Sequence, residues 1–365
     1  MKFDKNIDVL VGAQYGDEGK GMVAKLLADA SSTDGADYAW TGRVGGQNAE
    51  HRFIHQGCDF CARIMPSAGA FRPNIKVVLG AGHCFRPEQF ITEATHLGIP
   101  LIPGEVLVDP HAMWLREDHA VANLELGNRR GTTGWGVGVA MAEKVRRRPD
   151  TKLIGDSPLM KPYLCDVPME LNRIDGSGLI EGSQGTMLSL DHGHYPFSTA
   201  KNVTAPAICA EMGVSQRRVR AVFGIVRLVF MRVSGPSGPT GGSEVSFDDV
   251  EGRTNLRLPH HKRLQGDSTR WAASKDRTKA EEERLFDLSF VELFKAHTLS
   301  GFDSIAVTFV DYHRKGNYRV TEWEELHKDT RNVVERISRE IAPVFLVRTG
   351  QGEHDNIWLR DPWEF

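Results

Sequence analysis

Short, continuous apolar runs recur along the chain, and most of them end in glycine or a polar residue. The runs that predict strands lie at 7–12, 76–82, 177–185, 220–233, 303–311 and 343–350. Apolar residues at helical spacing predict helices at 20–30, 86–97, 138–148, 281–297 and 328–341. Uninterrupted apolar strands are typical of a parallel sheet covered on both faces, with functional residues at the carboxyl ends of the strands.

Two stretches depart from this pattern. The segments "HRFIHQG" and "CDFCARIM" flank Gly57 and predict a hairpin. Residues 234–280 are rich in Gly, Pro, Ser and basic residues with little periodicity, which predicts a long functional loop. No linker divides the chain, so we expect residues 1–365 to form one large α/β domain around a mainly parallel central sheet.

Composition narrows the class of protein. The chain has 365 residues, 40% apolar and 25% charged, with a net charge of −3. This is ordinary for a soluble globular protein, and it argues against nucleic acid as the main partner. A nucleic-acid role for the basic 253–279 segment stays as a minor alternative. No apolar run approaches about 18 residues, and the N-terminus does not resemble a signal peptide, so we expect a cytoplasmic location without membrane contact.

The cysteines are odd in number and scattered, which does not indicate a disulfide framework. They are Cys58, Cys61, Cys84, Cys165 and Cys209. The C-x-x-C formed by the first two leaves a zinc site as an alternative to a plain hairpin.

The stretch "VGAQYGDEGKGMV" resembles a phosphate-binding loop with altered spacing. An ordinary P-loop has the pattern G-x-x-x-x-G-K-[ST], but here six residues separate Gly12 from Gly19, and Gly21 replaces the hydroxyl residue. Backbone N–H groups of such a turn bind anions, and Lys20 can reach a transferred phosphoryl group. Asp17 suits either a Mg²⁺ ligand or a general base. The predicted triphosphate-binding residues are Gly16, Asp17, Glu18, Gly19, Lys20 and Gly21.

Three later segments also carry candidate chemistry. In "GRVGGQNAEH" (42–51), Asn48 can recognise an amide-like edge and His51 is a candidate acid. In "EGSQGTMLSLDHGHYPFSTAKNVTA" (181–205), Gln184 lies at a strand end, while D-H-G-H leaves a metal site open. The segment "RRGTTGWGVG" (129–138) places Thr132 and Thr133 among glycines, which suits phosphate or ribose, and an arginine run at 146–148 follows it.

Together these motifs resemble those of adenylosuccinate synthetase along nearly the whole chain. The matching segments, in order, are GAQYGDEGKG, GGQNAEH, GTTGWGVG, EGSQGTMLSLDHGHYPFSTAKN, RVSGP and TLSGF. The length is similar to that of the short archaeal and phage members. The resemblance implies a homodimeric ligase that joins L-aspartate to carbon 6 of a 6-oxopurine nucleotide, after a nucleoside triphosphate phosphorylates O6 with Mg²⁺.

The resemblance also implies roles for individual residues. Asp17 would be the base at N1 and a Mg²⁺ ligand, and His51 the acid near O6; the implied catalytic set is Asp17, Lys20, His51 and Gln184. Arg147 would reach the phosphate site of the partner subunit. The implied substrate-nucleotide residues are Asn48, Thr132, Thr133, Arg147, Gln184, Thr199, Val233 and Ser234. The triphosphate site would add Asp311, Thr349 and Gly350 to the glycine loop.

Several positions depart from the family pattern where aspartate and metal bind. Glu50 replaces a glycine whose carbonyl binds Mg²⁺, so Asp17 and Glu50 form the predicted metal set. Trp135 replaces an arginine that helps to hold aspartate. The arginine-rich aspartate loop is not visible, and its nearest counterparts are Ser274, Arg277 and Lys279.

The donor-binding motifs differ as well. The family's T-K-L-D motif is Thr308-Phe309-Val310-Asp311 here. The family's S-T-G-P motif is replaced by R-T-G-Q, which begins at Arg348. The donor is therefore open between ATP or dATP and GTP. Loss of the arginine-rich loop, which in the family touches the ribose hydroxyl, favours dGMP over IMP as substrate. A non-catalytic nucleotide-binding regulator is the alternative of another class.

Overall fold

The computed structural model describes residues 4–33, 37–125, 133–232, 237–254, 256, 262–263, 281–282 and 284–365. The strands are β1 Ile7–Gly12, β2 Tyr38–Arg43, β3 His51–His55, β4 Cys58–Ala62, β5 Lys76–Leu79, β6 Cys84–Phe85, β7 Val106–Val108, β8 Met113–Trp114, β9 Ser177–Glu181, β10 Val219–Arg227, β11 Val229–Arg232, β12 Glu244–Val245, β13 Lys262–Arg263, β14 Glu281–Glu282, β15 Arg284–Asp287, β16 Ser304–Thr308, β17 Val344–Arg348 and β18 Asn356–Trp358. The α-helices are α1 Lys20–Thr33, α2 Pro87–His96, α3 Glu117–Glu125, α4 Val137–Arg146, α5 Val167–Leu171, α6 Ala205–Met212, α7 Phe247–Thr254, α8 Phe290–Ser300 and α9 Lys328–Glu340.

In the described part of the chain, a nine-stranded central sheet organises the fold. Its strand order is β18-β17-β16-β10-β1-β9-β2-β5-β7. The pairings are parallel except for β17 with the edge strand β18, which is antiparallel. Strands such as β1, β16 and β17 are buried along their whole length because apolar clusters cover both faces of the sheet. The predicted α/β class with a mainly parallel sheet is therefore confirmed.

The carboxyl ends of β1, β9, β2, β10, β16 and β17 meet along one edge of this sheet. Register brings Gly12 at the end of β1 opposite Ile225 in β10, and Arg227 at the end of β10 opposite Thr308 in β16. Segments that lie far apart in sequence therefore become neighbours at this edge.

Two predicted elements need correction. The predicted helix 281–297 begins only at Phe290, because Arg284–Asp287 pairs antiparallel with β11 and the Ser289 side chain caps α8 by accepting from Glu292 N. The predicted strand 220–233 divides at Leu228 into β10 and β11. The second part joins a separate three-stranded sheet with β15 and β12.

Other differences follow from weak periodicity. Strand β2 carries Thr41, Gly42 and Arg43 within an otherwise apolar segment, so no apolar run marked it. The described part of the predicted 234–280 loop contains β12 and α7 and is not structureless. The hairpin at Gly57 is confirmed, with Gln56 and Gly57 at φ 50° and 76°, the left-handed pair that a tight two-residue turn requires.

Among the described residues, no helix combines the length and apolarity needed to cross a bilayer.

Candidate functional site

The glycine loop, residues Gly12–Gly21, joins the carboxyl end of β1 to the first turn of α1. Gly16 and Gly19 adopt left-handed conformations at φ 90° and 82°, and Asp17 between them does so at φ 57°. A non-glycine residue in this region is uncommon and is often found at functional sites. Asp17 is exposed at the tip of the loop, which places its carboxyl group where a ligand can reach it.

Gly21 explains why this loop lacks the P-loop hydroxyl. A Cβ atom there would approach the carbonyl oxygen of Arg52 to 2.7 Å and the main-chain carbon of His51 to 2.9 Å. Such distances are too short for any side chain, so the start of α1 packs directly against the start of β3. This contact brings the glycine loop and His51 into one site.

Glu18 is fully buried inside the glycine loop. Its carboxylate accepts hydrogen bonds from Gln14 N at 3.1 Å, Gly16 N at 2.9 Å and Lys20 Nζ at 2.6 Å. The sequence predicted Glu18 as a triphosphate-binding residue, whereas its side chain here braces the loop from within. Lys20 is likewise buried and carries Glu18 as its ion-pair partner.

His51 lies at the start of β3 and is buried. Its Nδ1 is 3.0 Å from Glu181 Oε2 at the end of β9, and Ala68 N donates to Glu181 Oε1 at 2.8 Å. Burial, with Arg43 and Lys20 nearby, holds the pKa of His51 well below its usual value. The charged form of the imidazole is therefore disfavoured, and burial also raises the pKa of Glu181. Toward an ionised Glu181, Nδ1 carries the proton and donates. Nε2 is a buried acceptor without a partner among the described residues.

Two amide side chains complete this part of the site. Gln184 follows β9 in a left-handed conformation at φ 63°, and Asn48 follows the neighbouring strand β2. Gln184 Oε1 and Asn48 Oδ1 are buried and lack hydrogen-bond partners among the described residues. Because buried polar atoms are normally paired, these oxygens indicate a polar ligand with donor groups.

A second group of segments, which we call the β16–β17 end, comprises Thr308–Asp311 and Arg348–Gly350. Burial raises the pKa of Asp311 to about 7. Burial lowers the pKa of Arg348 to about 10, and its second terminal nitrogen donates to the carbonyls of Gly350 and Gly352 at 3.0 Å. Its first terminal nitrogen has no partner in the described structure.

The β16–β17 end is attached to the glycine loop. Thr308 Oγ1 donates to the carbonyl of Glu18 at 2.8 Å, which joins the two segments directly. Thr349, which the resemblance predicts to bind the triphosphate, is fully buried. Its hydroxyl donates to Val320 O at 2.8 Å. Asp311 and Arg348, in contrast, retain the polar character that a nucleobase could use.

The remaining predicted residues fall in three groups. Thr133 and Thr199 are partly buried in loops, whereas Arg147 is exposed where α4 ends. Outside the described residues lie Thr132, Val233, Ser234, Ser274, Arg277 and Lys279. Sequence reasoning missed Glu181, Arg43 and Arg227, although a charged residue that ends a buried strand is a usable signal for each of them.

No group of three His, Cys, Asp or Glu side chains in the described part of the chain could hold a metal ion. In the D-H-G-H segment, Asp191 binds Asn202 and His194 Nε2 lies 2.9 Å from Glu292 Oε1. The metal alternatives for this segment and for the C-x-x-C therefore gain no support from these residues.

Mg²⁺ is compatible with the site in a different form. Mg²⁺ is commonly held by one or two carboxylates together with substrate phosphates, so a dedicated protein cage is not required. The exposed carboxylate of Asp17 on an anion-binding loop fits that pattern. The Glu50 carboxylate contacts Arg52 and Arg63, so only its main-chain carbonyl stays a predicted ligand.

The chain is similar to known proteins over nearly its full length. The adenylosuccinate synthetase family model matches residues 9–156 and 151–320. The adenylosuccinate synthetase of Archaeoglobus fulgidus is 32% identical over 349 residues, which cover 94% of this chain and 95% of that protein. The enzyme of Methanocaldococcus jannaschii is 30% identical over 360 residues, or 97% of this chain and 96% of that protein.

Two solved structures share the fold. Cyanophage S-2L succinoaminodeoxyadenylate synthetase, bound to dGMP and to dATP as an energy donor, has a TM-score of 0.80 at 23% identity, covering 99% of this chain and 97% of that one. The fully ligated adenylosuccinate synthetase of Plasmodium falciparum has a TM-score of 0.78 at 18% identity, covering 97% and 100%. With the family model and the archaeal relatives, these matches establish that the chain belongs to the adenylosuccinate synthetase family, whose members are ligases that form a carbon–nitrogen bond.

Proposed function

We propose that this ligase joins the amino group of L-aspartate to carbon 6 of dGMP and produces N6-succino-2-amino-2′-deoxyadenylate. The observation that carries the proposal is the pair of buried acceptors, Asn48 Oδ1 and Gln184 Oε1, without partners among the described residues. Each such oxygen costs about 1–3 kcal/mol while it stays unpaired. Guanine offers a 2-amino group as a donor on that edge, whereas the hypoxanthine of IMP has none there besides N1–H, the proton that the mechanism below assigns to Asp17.

The relatives support two different substrates. The fold likeness to the cyanophage enzyme, whose structure contains dGMP and dATP, supports dGMP. The archaeal relatives are adenylosuccinate synthetases and support the alternative, which is IMP with GTP. We favour dGMP because the additional donor of its base matches the unpaired acceptors.

In the first proposed step, the Asp17 carboxylate removes the N1 proton, and O6 attacks the γ-phosphorus of the triphosphate. The bond from that phosphorus to its bridging oxygen breaks, and a nucleoside diphosphate leaves. Such transfers depend on positioning and on neutralised charge, which the N–H groups of the glycine loop and Lys20 provide. Mg²⁺, when bound with the phosphates, would neutralise further charge between them and Asp17.

His51 takes part through Nε2. Burial and two cations lower the pKa of His51 and so disfavour the charged form of its imidazole. Negative charge from bound phosphates opposes those cations, and Glu181 can then stabilise an imidazolium through Nδ1. In that state Nε2–H donates to the oxygen shared by carbon 6 and the transferred phosphoryl group.

In the second step, the amino group of aspartate attacks carbon 6. The new C–N bond forms as the C6–O bond breaks, phosphate leaves with the bonding electrons, and the attacking nitrogen loses a proton. Phosphorylation is what makes O6 a good leaving group, so the two steps depend on each other.

The donor is proposed to be ATP, dATP or GTP, with its base at the β16–β17 end beside Asp311 and Arg348. A homodimer in the cytoplasm is part of the same proposal, with Arg147 directed to the phosphate site of the partner subunit. The exposure of Arg147 at the end of α4 leaves it accessible for that contact.

A matrix of substrates tests the proposal. Purified protein is incubated with aspartate and Mg²⁺ and with every pairing of dGMP or IMP with ATP, dATP or GTP, and the products are separated by chromatography. We expect dGMP to be consumed, a nucleoside diphosphate and inorganic phosphate to be released in equal amounts, and sustained turnover to be absent when aspartate is omitted. Turnover of IMP with GTP alone would refute the dGMP assignment.

A further inference from the structure

Arg227, the last residue of β10, is buried between the glycine loop and the β16–β17 end. Its Nε donates to Val229 O at 2.7 Å and one terminal nitrogen donates to the carbonyl of Asp17 at 2.9 Å. The Gln14 side chain fixes its main chain, accepting from Arg227 N at 2.8 Å and donating to Arg227 O at 2.9 Å. The Arg227 guanidinium is thus hydrogen-bonded to the main chain at the tip of the loop.

Asp17, whose carbonyl accepts this hydrogen bond, also has an uncommon backbone conformation. Asp17 lies at φ 57°, in the left-handed region that only a few per cent of non-glycine residues adopt. Such conformations persist where surrounding contacts enforce them. The hydrogen bond from Arg227 acts on the carbonyl of Asp17 itself and therefore restrains the backbone from which the Asp17 side chain projects.

The other face of the guanidinium is covered by Phe309. The ring centroid lies 3.6 Å from the guanidinium carbon, and Phe309 is itself left-handed at φ 53°. A Cβ on Gly19 would lie 3.4 Å from the Phe309 ring, so this ring also touches the loop. Two left-handed residues on different segments, Asp17 and Phe309, are therefore connected through one buried cation.

We propose that Arg227 is a positioning residue for the ligase reaction, which holds the Asp17 carboxyl group in its reactive direction and, through Phe309, links that direction to the β16–β17 end. The inference rests on the proposed role of Asp17 as the base. A displacement near 1 Å at a reacting group can lower a rate about 10²-fold, which sets the expected size of the effect.

Variants of Arg227 and Phe309 test this role in the full chain, with whichever mononucleotide the parent protein consumes. Arg227→Met removes the hydrogen bond to Asp17 and is expected to lower kcat about 10²-fold. The KM for the mononucleotide should stay within about threefold, since binding residues are untouched. Arg227→Lys keeps the charge and should recover part of the loss. Phe309→Leu leaves the hydrogen bond intact and should lower kcat about tenfold.

Arg336→Met is the matched control, because Arg336 also stacks on a phenylalanine, Phe290, at 3.8 Å, but lies on α9 away from the loop. Its kcat should equal that of the parent. Thermal unfolding verifies that each variant is folded. If Arg227→Met does not fold, the kcat values of Arg227→Lys and Phe309→Leu test the inference. A parent-like kcat in the folded Arg227 variants, or a loss confined to KM, overturns the inference. A parent protein inactive on both mononucleotides would instead refute the proposed function.

Discussion

The glycine loop and the β16–β17 end lie at the same edge of the sheet but differ in how many hydrogen-bond partners their buried charged groups have. In the loop, Glu18 receives two main-chain N–H groups and the Lys20 ammonium within 3.1 Å. At the β16–β17 end, Arg348 keeps one nitrogen without a partner among the described residues, and burial raises the pKa of Asp311 to about 7. The buried charge of the loop is thus paired within the loop itself, whereas among the described residues the other end presents an unpaired buried donor to a ligand.

The largest expected effect comes from removing the reactive group of the completed loop. Asp17→Asn keeps the shape of the side chain but abolishes its basicity, so kcat should fall about 10²–10⁴-fold. The KM for the triphosphate should rise as well, because the Asp17 carboxylate is also the predicted ligand of the Mg²⁺ that binds with the phosphates. Steady-state kinetics measure both constants.

Asp175→Asn is the control for this variant, because Asp175 is exposed just before β9 at the opposite end of that strand. It should behave like the parent. Full turnover by the Asp17→Asn enzyme would show that Asp17 is not the catalytic base. The order of the loop would then have no bearing on the chemical step.

The second prediction breaks the loop from inside. Glu18→Gln leaves the buried Lys20 ammonium without its counter-charge, which should lower the free energy of unfolding by about 3–5 kcal/mol. Urea unfolding measures this loss as a shift of the midpoint at unchanged slope. The control is Glu105→Gln, since Glu105 pairs with Lys76 at 2.8 Å on the surface, where such a pair contributes about 0–1 kcal/mol. Equal losses in both variants would contradict an internally braced loop.

The third prediction concerns the unsatisfied end. Arg348→Met removes a buried guanidinium whose desolvation already offsets its two carbonyl contacts, so stability should change by about 1 kcal/mol or less. The KM for the triphosphate should rise about 10–100-fold, the value of a charged hydrogen bond to the ligand. Arg319→Met, at an exposed arginine 3.6 Å from Asp355, should change neither quantity. A destabilisation as large as that of Glu18→Gln, with unchanged KM, would make the two regions equivalent.

This contrast also separates what the sequence predicts from what it does not. The apolar runs predicted six of the nine described strands of the central sheet, and glycines with Lys20 predicted an anion-binding loop, because these signals are local. The partners of the Glu18 carboxylate were not predicted, because they depend on how the loop folds back on itself. The contact of Arg227 with Asp17 joins residues 210 positions apart, so no local pattern announces it.

Local sequence patterns also fail to explain residues that differ from the expected motif. Gly21 looked like a missing hydroxyl, but the approach of the Arg52 and His51 main chains leaves no room for a side chain. Phe309 looked like a lost lysine, whereas the structure places its ring against Arg227. In both cases the replacement has a reason that only the tertiary neighbours supply.

The smallest expected effect, and the sharpest test of the contrast, is a pH dependence. In the folded protein burial raises the pKa of Asp311 from 3.8 to about 7. Between these values the folded protein keeps a proton that the unfolded chain releases, so the free energy of unfolding falls as pH rises. Asp311→Asn removes this dependence. Relative to the parent, the variant should gain about 2 kcal/mol between pH 5.5 and 7.

Other groups titrate in the opposite direction but cancel in this comparison. Burial lowers the pKa of His83 to about 3 and that of His313 to about 4, so both destabilise the folded protein as pH falls below 6.5. They are present in parent and variant alike, and urea unfolding across pH therefore isolates Asp311. Parallel curves for the two proteins would mean that Asp311 is ionised throughout. The β16–β17 end would then hold its carboxylate without a ligand, as the glycine loop holds Glu18.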